Sequence, residues 1–320
     1  MERSGENQRP HILLVLTGGT IGTLSDAEGT RRLATEDGEA EPMLIRALRE
    51  RAPEAAPEVT VRVPYQVLSE HMTLEYLERL ANCLRAETLT EYDGVFITHG
   101  SDTLAFTAAF LGELLRGCPV PVFLLATQRP IGDPGSNGVE NTLAALQLLG
   151  SSRGRTGVYV TYRNSDNIMY LHRAEELKQC QPGTDDFFSK SMQPVPERDG
   201  SCQWPEGEFP KGESSWELPE TRLRPDVLLL HPYVGIRYDC ISLTGIRAAV
   251  HTLYHSSTAP KELADFLDRC REAGVKCYIR PCEPENCHYE TTAELLAHGA
   301  IPISGMTEES AYMKLLLGKL

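Results

Sequence analysis

His11 to Gly22 reads HILLVLTGGTIG, and the architecture is read outward from it. Ile12 to Leu16 is a short apolar run that ends in a pair of glycines. A run of that length bounded by glycines reads as a buried strand. Gly18-Gly19 lets the backbone turn sharply or approach a ligand closely. Thr17 and Thr20 put two hydroxyls at the strand's carboxyl end, where open α/β sheets bind their ligands. Either one of them faces a substrate, or both cap local backbone groups in a tight turn.

The pattern continues outward from this strand. Gly94 to Ile97 is a second apolar run; it leads into Thr98-His99-Gly100-Ser101-Asp102-Thr103 and then a helix from about Leu104 to Leu115. Ser101 and Asp102 suit that helix's cap and first turn. Met43 to Arg51 has helical spacing. Val59 to Val67 alternates in part and predicts a strand that delivers Leu68 to Thr73 to a loop before a helix at Leu74 to Arg85. Val120 to Ala126 and Gly157 to Tyr162 are further strands, with a helix at Val139 to Leu149 between them. Strands alternating with helices over short connections predict a parallel doubly wound sheet. Thr23 to Pro42 is polar and long: either a lid over the first strand's end or a variable surface loop.

The composition shifts after Met192. Gln193 to Arg224 is rich in Pro, Gly, Glu and Ser and reads as a linker. Beyond it, strands are expected at Val227 to Leu230, Ala249 to Leu253 and Val275 to Ile279. Helices are expected at Leu243 to Ala249, Lys261 to Ala273, Thr291 to His298, and Glu308 to Leu317 with Thr307 as cap. The expected fold class is α/β. A larger N-terminal domain (1–192) has a mostly parallel doubly wound sheet; a linker (193–224) and a smaller C-terminal α/β domain (225–320) follow.

Composition narrows the function. The 320 residues carry a net charge of −14, with the acids scattered, which argues against a nucleic-acid partner. No apolar run approaches the ~18 residues of a membrane helix, and the polar start lacks an export signal. The expected setting is therefore the cytoplasm, with the nine cysteines as thiols. Cys270, Cys277, Cys282, Cys287 and His288 raise the question of a zinc site. Paired C-x-x-C spacing is absent and Cys277 sits in a strand-like run, so the expectation is no metal and no cofactor.

Two strand-end motifs thus present hydroxyls, Thr17 and Thr20 from one, Ser101 and Thr103 from the other, with Asp102 between the latter. A hydroxyl nucleophile needs a base or a charged neighbour. Backbone N–H groups near Gly19, Gly100 and the helix start are suited to hold an oxyanion. This chemistry suits acyl transfer at an amide or ester. His99 reads as a packed strand-end histidine.

Thr17-Gly18-Gly19-Thr20-Ile21-Gly22 and Thr98-His99-Gly100-Ser101-Asp102-Thr103 resemble the two signatures of the bacterial-type L-asparaginase (asparaginase/glutaminase) family, in its order and spacing. Leu68 to Met72, Gln128-Arg129-Pro130 with Ser136 to Asn141, and Gly299 to Leu317 are similar to further family segments. The resemblance implies metal-free hydrolysis of the side-chain amide of a small amino-acid amide, in a homodimer or homotetramer with sites at subunit contacts. It implies Thr20 as nucleophile, Ser101 in place of the second catalytic threonine, and Asp102 as both catalytic acid and anchor of the substrate's ammonium. Ser69 would bind the α-carboxylate, and Glu70 stands at a Gln/Glu position. The family's lysine falls on Glu176 counted from His172-Arg173-Ala174, or on Lys178 counted back from Asp185-Asp186-Phe187. Lys178 is preferred because it keeps the residue type, and a Glu176 beside Asp102 would face like-charge repulsion. Two further departures surround the substrate. The family's loop tyrosine has no counterpart between Gly22 and Pro64, the first tyrosine being Tyr65, and Tyr254 to Thr258 replaces a glycine-rich loop.

Overall fold

The computed structural model describes residues 9–25, 31–33, 42–282 and 289–320. The chain divides into two compact units, Met1–Thr221 and Arg222–Leu320.

In the first unit, β1 (His11–Val15) is followed by a small antiparallel pair, β2 (Thr23–Ser25) and β3 (Arg31–Leu33). Then come α1 (Met43–Arg51), β4 (Glu58–Arg62), α2 (Leu74–Arg85), β5 (Gly94–Thr98), α3 (Leu104–Leu114), β6 (Pro121–Leu125), α4 (Gly138–Gly150) and β7 (Gly157–Arg163). β8 (Met169–Arg173), β9 (Gln193–Pro194), β10 (Glu197–Arg198) and β11 (Ser201–Cys202) complete it. The main sheet has the order β4-β1-β5-β6-β7-β8-β9. It is parallel from β4 to β7 and antiparallel from β7 through β8 to β9. The α/β class and the mostly parallel sheet agree with the sequence; β8 is an addition to it.

Every residue of β5 and β6 is buried, because helices cover both faces of a parallel sheet. β4 alternates weakly because it is an edge strand. It stops at Arg62, short of the expected Val67, since Pro64 cannot donate to the ladder. α2 buries only Leu77, Leu80, Ala81 and Leu84, whereas α3 (LAFTAAFLGEL) is largely apolar and buried along nearly its whole length.

The stretch 193–221, read as part of a linker, packs within this first unit. Gln193–Pro194 extends the sheet, and Trp204 and Phe209 lie against the core beside Tyr159.

The second unit has a parallel sheet in the order β12 (Val227–Leu230), β13 (Ala248–Thr252), β14 (Lys276–Arg280), β15 (Ile301–Pro302). Its helices are α5 (Leu263–Glu272), α6 (Glu290–Ala297) and α7 (Glu308–Leu316). Thr307 caps α7, its side chain accepting from the Ser310 N–H at 3.2 Å. The helix expected at Leu243 to Ala249 is absent. Gly245 has φ +76°, Ile246 N–H closes a turn on Leu243 O, and Ala248 already pairs in β13. The two alanines serve the strand because β12 and β14 flank it.

Three histidines are buried in these sheets or at their ends. Burial lowers His99 and His251 to about 4 and His172 to about 3 from 6.5. Each is therefore neutral in the fold at pH 7, whereas unfolding lets each take up a proton below about 6.5. Stability is present above that value and is lost as pH falls toward 4. Denaturant unfolding between pH 7 and 5 should show a fall of about 1.4 kcal/mol per pH unit for each histidine well below its unfolded pKa. Stability unchanged over that range overturns this account.

Candidate active site

β1 lies between β4 and β5, and its chain leaves toward β4 while that of β5 leaves toward β6. The strand order therefore reverses between β1 and β5. In open α/β sheets the crevice at such a point, beyond the carboxyl ends, is where ligands bind. The turns at the carboxyl ends of β1 and β5 are the two hydroxyl motifs.

The first turn is tied down on both sides. Gly18 (φ +99°) and Gly19 (φ +78°) are left-handed. Val67 N–H donates to Thr17 O and Gly19 N–H donates to Val67 O, both at 3.1 Å. Thr17 Oγ1 donates to Thr98 O at 2.5 Å, and Thr98 Oγ1 accepts from Thr17 N–H at 3.2 Å. Thr17 is thus structural and buried. Thr20 begins a short 3-10 turn, Thr20–Gly22, and is half-buried. Because Gly19 N–H is bonded to Val67, it is not available as the oxyanion donor that the sequence suggested.

Beyond the Thr17–Thr98 bonds, the second turn meets the first backbone to backbone at the two glycines. A methyl group on Gly19 would lie 2.5 Å from Gly100 Cα, and one on Gly100 would lie 3.2 Å from Gly19 Cα. Thr20 and Ser101, the residues that follow these glycines, leave from one point of contact. A methyl on Gly100 would also lie 2.6 Å from Ser69 Cβ, so the segment after β4 closes against the same turn. Ser69 is 5% exposed. Its Oγ donates to Asp102 Oδ2 and accepts from Asp102 N–H, each at 3.2 Å, while Thr103 Oγ1 donates to Ser69 O at 2.9 Å. Asp102 and Glu70 are exposed.

His99 supports the turn from behind. Its Nδ1–H donates to Gly100 O and its Nε2 accepts from Thr107 Oγ1, both at 2.8 Å. Both nitrogens are occupied and burial keeps the ring neutral, so it is a packed histidine, not a general base.

After β8, Glu176 and Lys178, the two candidates for the family's lysine position, take different partners. Glu176 Oε2 accepts from Ser191 N–H and Oγ–H, which directs that carboxylate to the Ser191 turn. Lys178 N–H donates to Phe188 O at 2.9 Å, and its exposed ammonium forms no ion pair among the described residues. The side chain that reaches the Asp102 turn is that of Gln179, whose Nε2 donates to Asp102 O. Sequence reasoning passed over Gln179. The only available signal was its place beside the lysine position.

Tyr65 lies past the end of β4, in a loop, and is buried. Burial pushes its phenol far above the ordinary tyrosine range, only partly offset by the Thr17 hydroxyl and the Arg79 guanidinium. It is therefore no source of phenolate for Thr20. The expected lid includes residues 26–30 and 34–41, which lie outside the described residues. So do Cys287 and His288. Cys270 and Cys277 are buried thiols in contact, the Cys270 neighbour and burial pushing Cys277 up. Among the described residues no group of three His, Cys, Asp or Glu side chains is arranged to hold a metal. No helix there is long and apolar enough to cross a membrane.

Residues 11–205 match the family model described as asparaginase, N-terminal. A glutamyl-tRNA(Gln) amidotransferase component of Thermococcus kodakarensis is 27% identical over 96% of this chain and 71% of its own length. Its counterpart in Archaeoglobus fulgidus is 28% identical over 96% and 74%. Among solved structures, L-asparaginase I from Vibrio cholerae superposes with a TM-score of 0.75 at 25% identity, over 97% of this chain and 92% of its own. The thermostable L-asparaginase from T. kodakarensis has the same fold, with a TM-score of 0.76 at 21% identity over 96% and 92%. The match over residues 11–205 and the shared two-domain fold place this chain in the asparaginase family, as an asparaginase-like amidohydrolase.

Proposed function

We propose that the chain hydrolyses the side-chain amide of L-asparagine, or of a close relative, to the acid and ammonia, with Thr20 as nucleophile. The observation that carries this reading is the Gly19–Gly100 backbone contact, from which Thr20 and the Ser101-Asp102 pair both leave.

An α-amino acid fits the polar groups beside that contact. Its carboxylate takes the Ser69 hydroxyl, and its ammonium takes Asp102 Oδ2, with exposed Glu70 adding negative charge nearby. The hydroxyl-to-carboxylate bond of 3.2 Å is exchanged for a like bond to the substrate's carboxylate plus an ammonium–carboxylate ion pair. Thr20 Oγ1 attacks the side-chain carbonyl carbon, and the resulting oxyanion is held by N–H groups of the turn that starts at Gly100. Ser101, with Asp102 and Lys178, relays the proton lost by Thr20 to the amide nitrogen. The C–N bond breaks, ammonia leaves, and water cleaves the Thr20 ester to free the acid. Lys178, whose exposed ammonium forms no ion pair among the described residues, is assigned the cation of this relay.

The test is ammonia release by the purified chain from L-asparagine, L-glutamine and small peptidyl amides. Turnover of asparagine is expected, and release from none of them overturns the reading. A second reading is a diverged hydrolase of a modified or larger amide, favoured by the amidotransferase names of the relatives above. It predicts turnover of a larger amide in preference to asparagine. Asparagine binding without turnover would instead mark an amino-acid sensor. The assembly we propose is a homodimer or homotetramer in the cytoplasm, which light scattering on the purified chain checks for oligomeric state.

Ser69→Ala separates binding from chemistry. KM should rise by roughly tenfold or more with kcat changed less, since the lost hydroxyl contacts the carboxylate and not the reacting carbon. A fall in kcat with KM unchanged would remove Ser69 from the binding role.

A further inference from the structure

The turn 151–155 after α4 and residues 196–206, which carry the β10–β11 hairpin, bound a hollow of about 270 Å³. α4 runs from the carboxyl edge of the sheet back to its amino edge, so this hollow is remote from Thr20 and Asp102. Its lining includes Arg153, Arg155, Arg198, Gln203, Trp204 and Glu206. Three guanidinium groups against one carboxylate is a local reversal in a chain of net charge −14.

None of these three arginines has a carboxylate ion-pair partner among the described residues. In the same unit Arg51, Arg62, Arg116 and Arg163 each pair with a glutamate. Backbone and packing hold the three in place. Arg153 has φ +47°, a conformation uncommon for any residue but glycine. Arg155 N–H closes that turn on Ser152 O at 2.9 Å. Arg198 precedes Asp199 (φ +52°) and Gly200 (φ +73°), the tight two-residue turn of the hairpin. The Arg155 guanidinium lies 5.5 Å from the Trp204 ring centre. That indole is itself fixed, its Nε1–H donating to Leu148 O at 2.8 Å and its ring set edge-on to Tyr159 and Phe209.

We propose that this hollow binds a compact phosphorylated anion with adjacent phosphoryl groups, of the pyrophosphate or nucleoside diphosphate class. Gathering three like charges costs repulsion that a bound polyanion removes. A carboxylate offers two oxygens to one guanidinium fork, whereas adjacent phosphoryl groups offer enough oxygens and charge for three. An extended nucleic-acid backbone is disfavoured because the strongly acidic chain repels it away from this one patch.

The probe is inorganic pyrophosphate, titrated into the full chain at matched ionic strength with chloride as reference. The Trp216→Phe background isolates Trp204 emission, which responds when an anion draws Arg155 off the indole. A saturable emission change and a calorimetric signal are expected. The exposed pair Arg153→Gln with Arg198→Gln should weaken binding by roughly tenfold per arginine, while Arg85→Gln, elsewhere in the unit, leaves it unchanged. Circular dichroism checks that each variant is folded. No saturable response beyond chloride overturns the proposal, as does binding unaffected by the double variant. Tighter binding of a short oligoribonucleotide than of pyrophosphate overturns it in favour of a nucleic-acid surface.

Discussion

Replacing Thr20 by alanine is expected to lower ammonia release from L-asparagine by roughly 10³-fold or more while the protein stays folded, since the attacking atom itself is removed. Thr20 is half-buried in a short turn, so the substitution should cost stability no more than about 1 kcal/mol. Thr20→Ser keeps the oxygen and should retain measurable turnover. The parallel change Thr17→Ala distinguishes the two hydroxyls of the motif. Thr17 Oγ1 is bonded to Thr98 O in the buried interior, so its loss should appear in thermal stability first and in activity only through the displaced turn. Equal activity of Thr20→Ala and wild type would remove Thr20 from the chemistry. Binding of substrate should survive in Thr20→Ala, because Ser69 and Asp102, which take the substrate's carboxylate and ammonium, stay in place on the facing segments.

Gly19→Ala should be the most damaging single methyl addition among the described glycines of the first unit. At φ +78° a side chain costs about 1–3 kcal/mol in backbone strain alone. The new carbon would also lie 2.5 Å from Gly100 Cα, and backbone cannot rotate away as a side chain can. The ends of β1 and β5 must separate, which parts Thr20 from Ser101-Asp102. The expected outcome is a thermal midpoint lowered by about 5 °C or more, together with loss of turnover. Gly22→Ala is the internal control. It lies in the same loop, lacks a positive φ, and has open space where its methyl would go, so its stability should stay within about 0.5 kcal/mol of wild type. A Gly19→Ala protein as stable and active as Gly22→Ala would mean that the two turns are not in contact.

Elements are legible in the sequence in proportion to how local their causes are. β1, β5 and β6 are continuous apolar runs because each is covered on both faces, and such runs announce themselves. Leu243–Ala249 reads as a helix because a short apolar segment has the same composition in a buried strand as in a helix. Flanking by β12 and β14 claims Ala248 and Ala249 for the sheet. β8 is hidden for a related reason. Met169–Arg173 is short, and its antiparallel partner β7 lies just before it in the chain.

The family, the α/β class and the two glycine-flanked hydroxyl motifs are legible in adjacent residues, because turn geometry and strand burial have local causes. Which groups around those motifs have partners depends on how the folded chain brings distant segments together. Folding turned Glu176 toward Ser191 and brought Gln179 to the Asp102 turn. It occupied Gly19 N–H with Val67 and both ring nitrogens of His99 with Gly100 and Thr107. It also gathered Arg153, Arg155 and Arg198 about one hollow from two segments distant in sequence. A hydrogen bond or a charge cluster depends on distances of a few ångströms between segments that meet only after the sheet has set their positions.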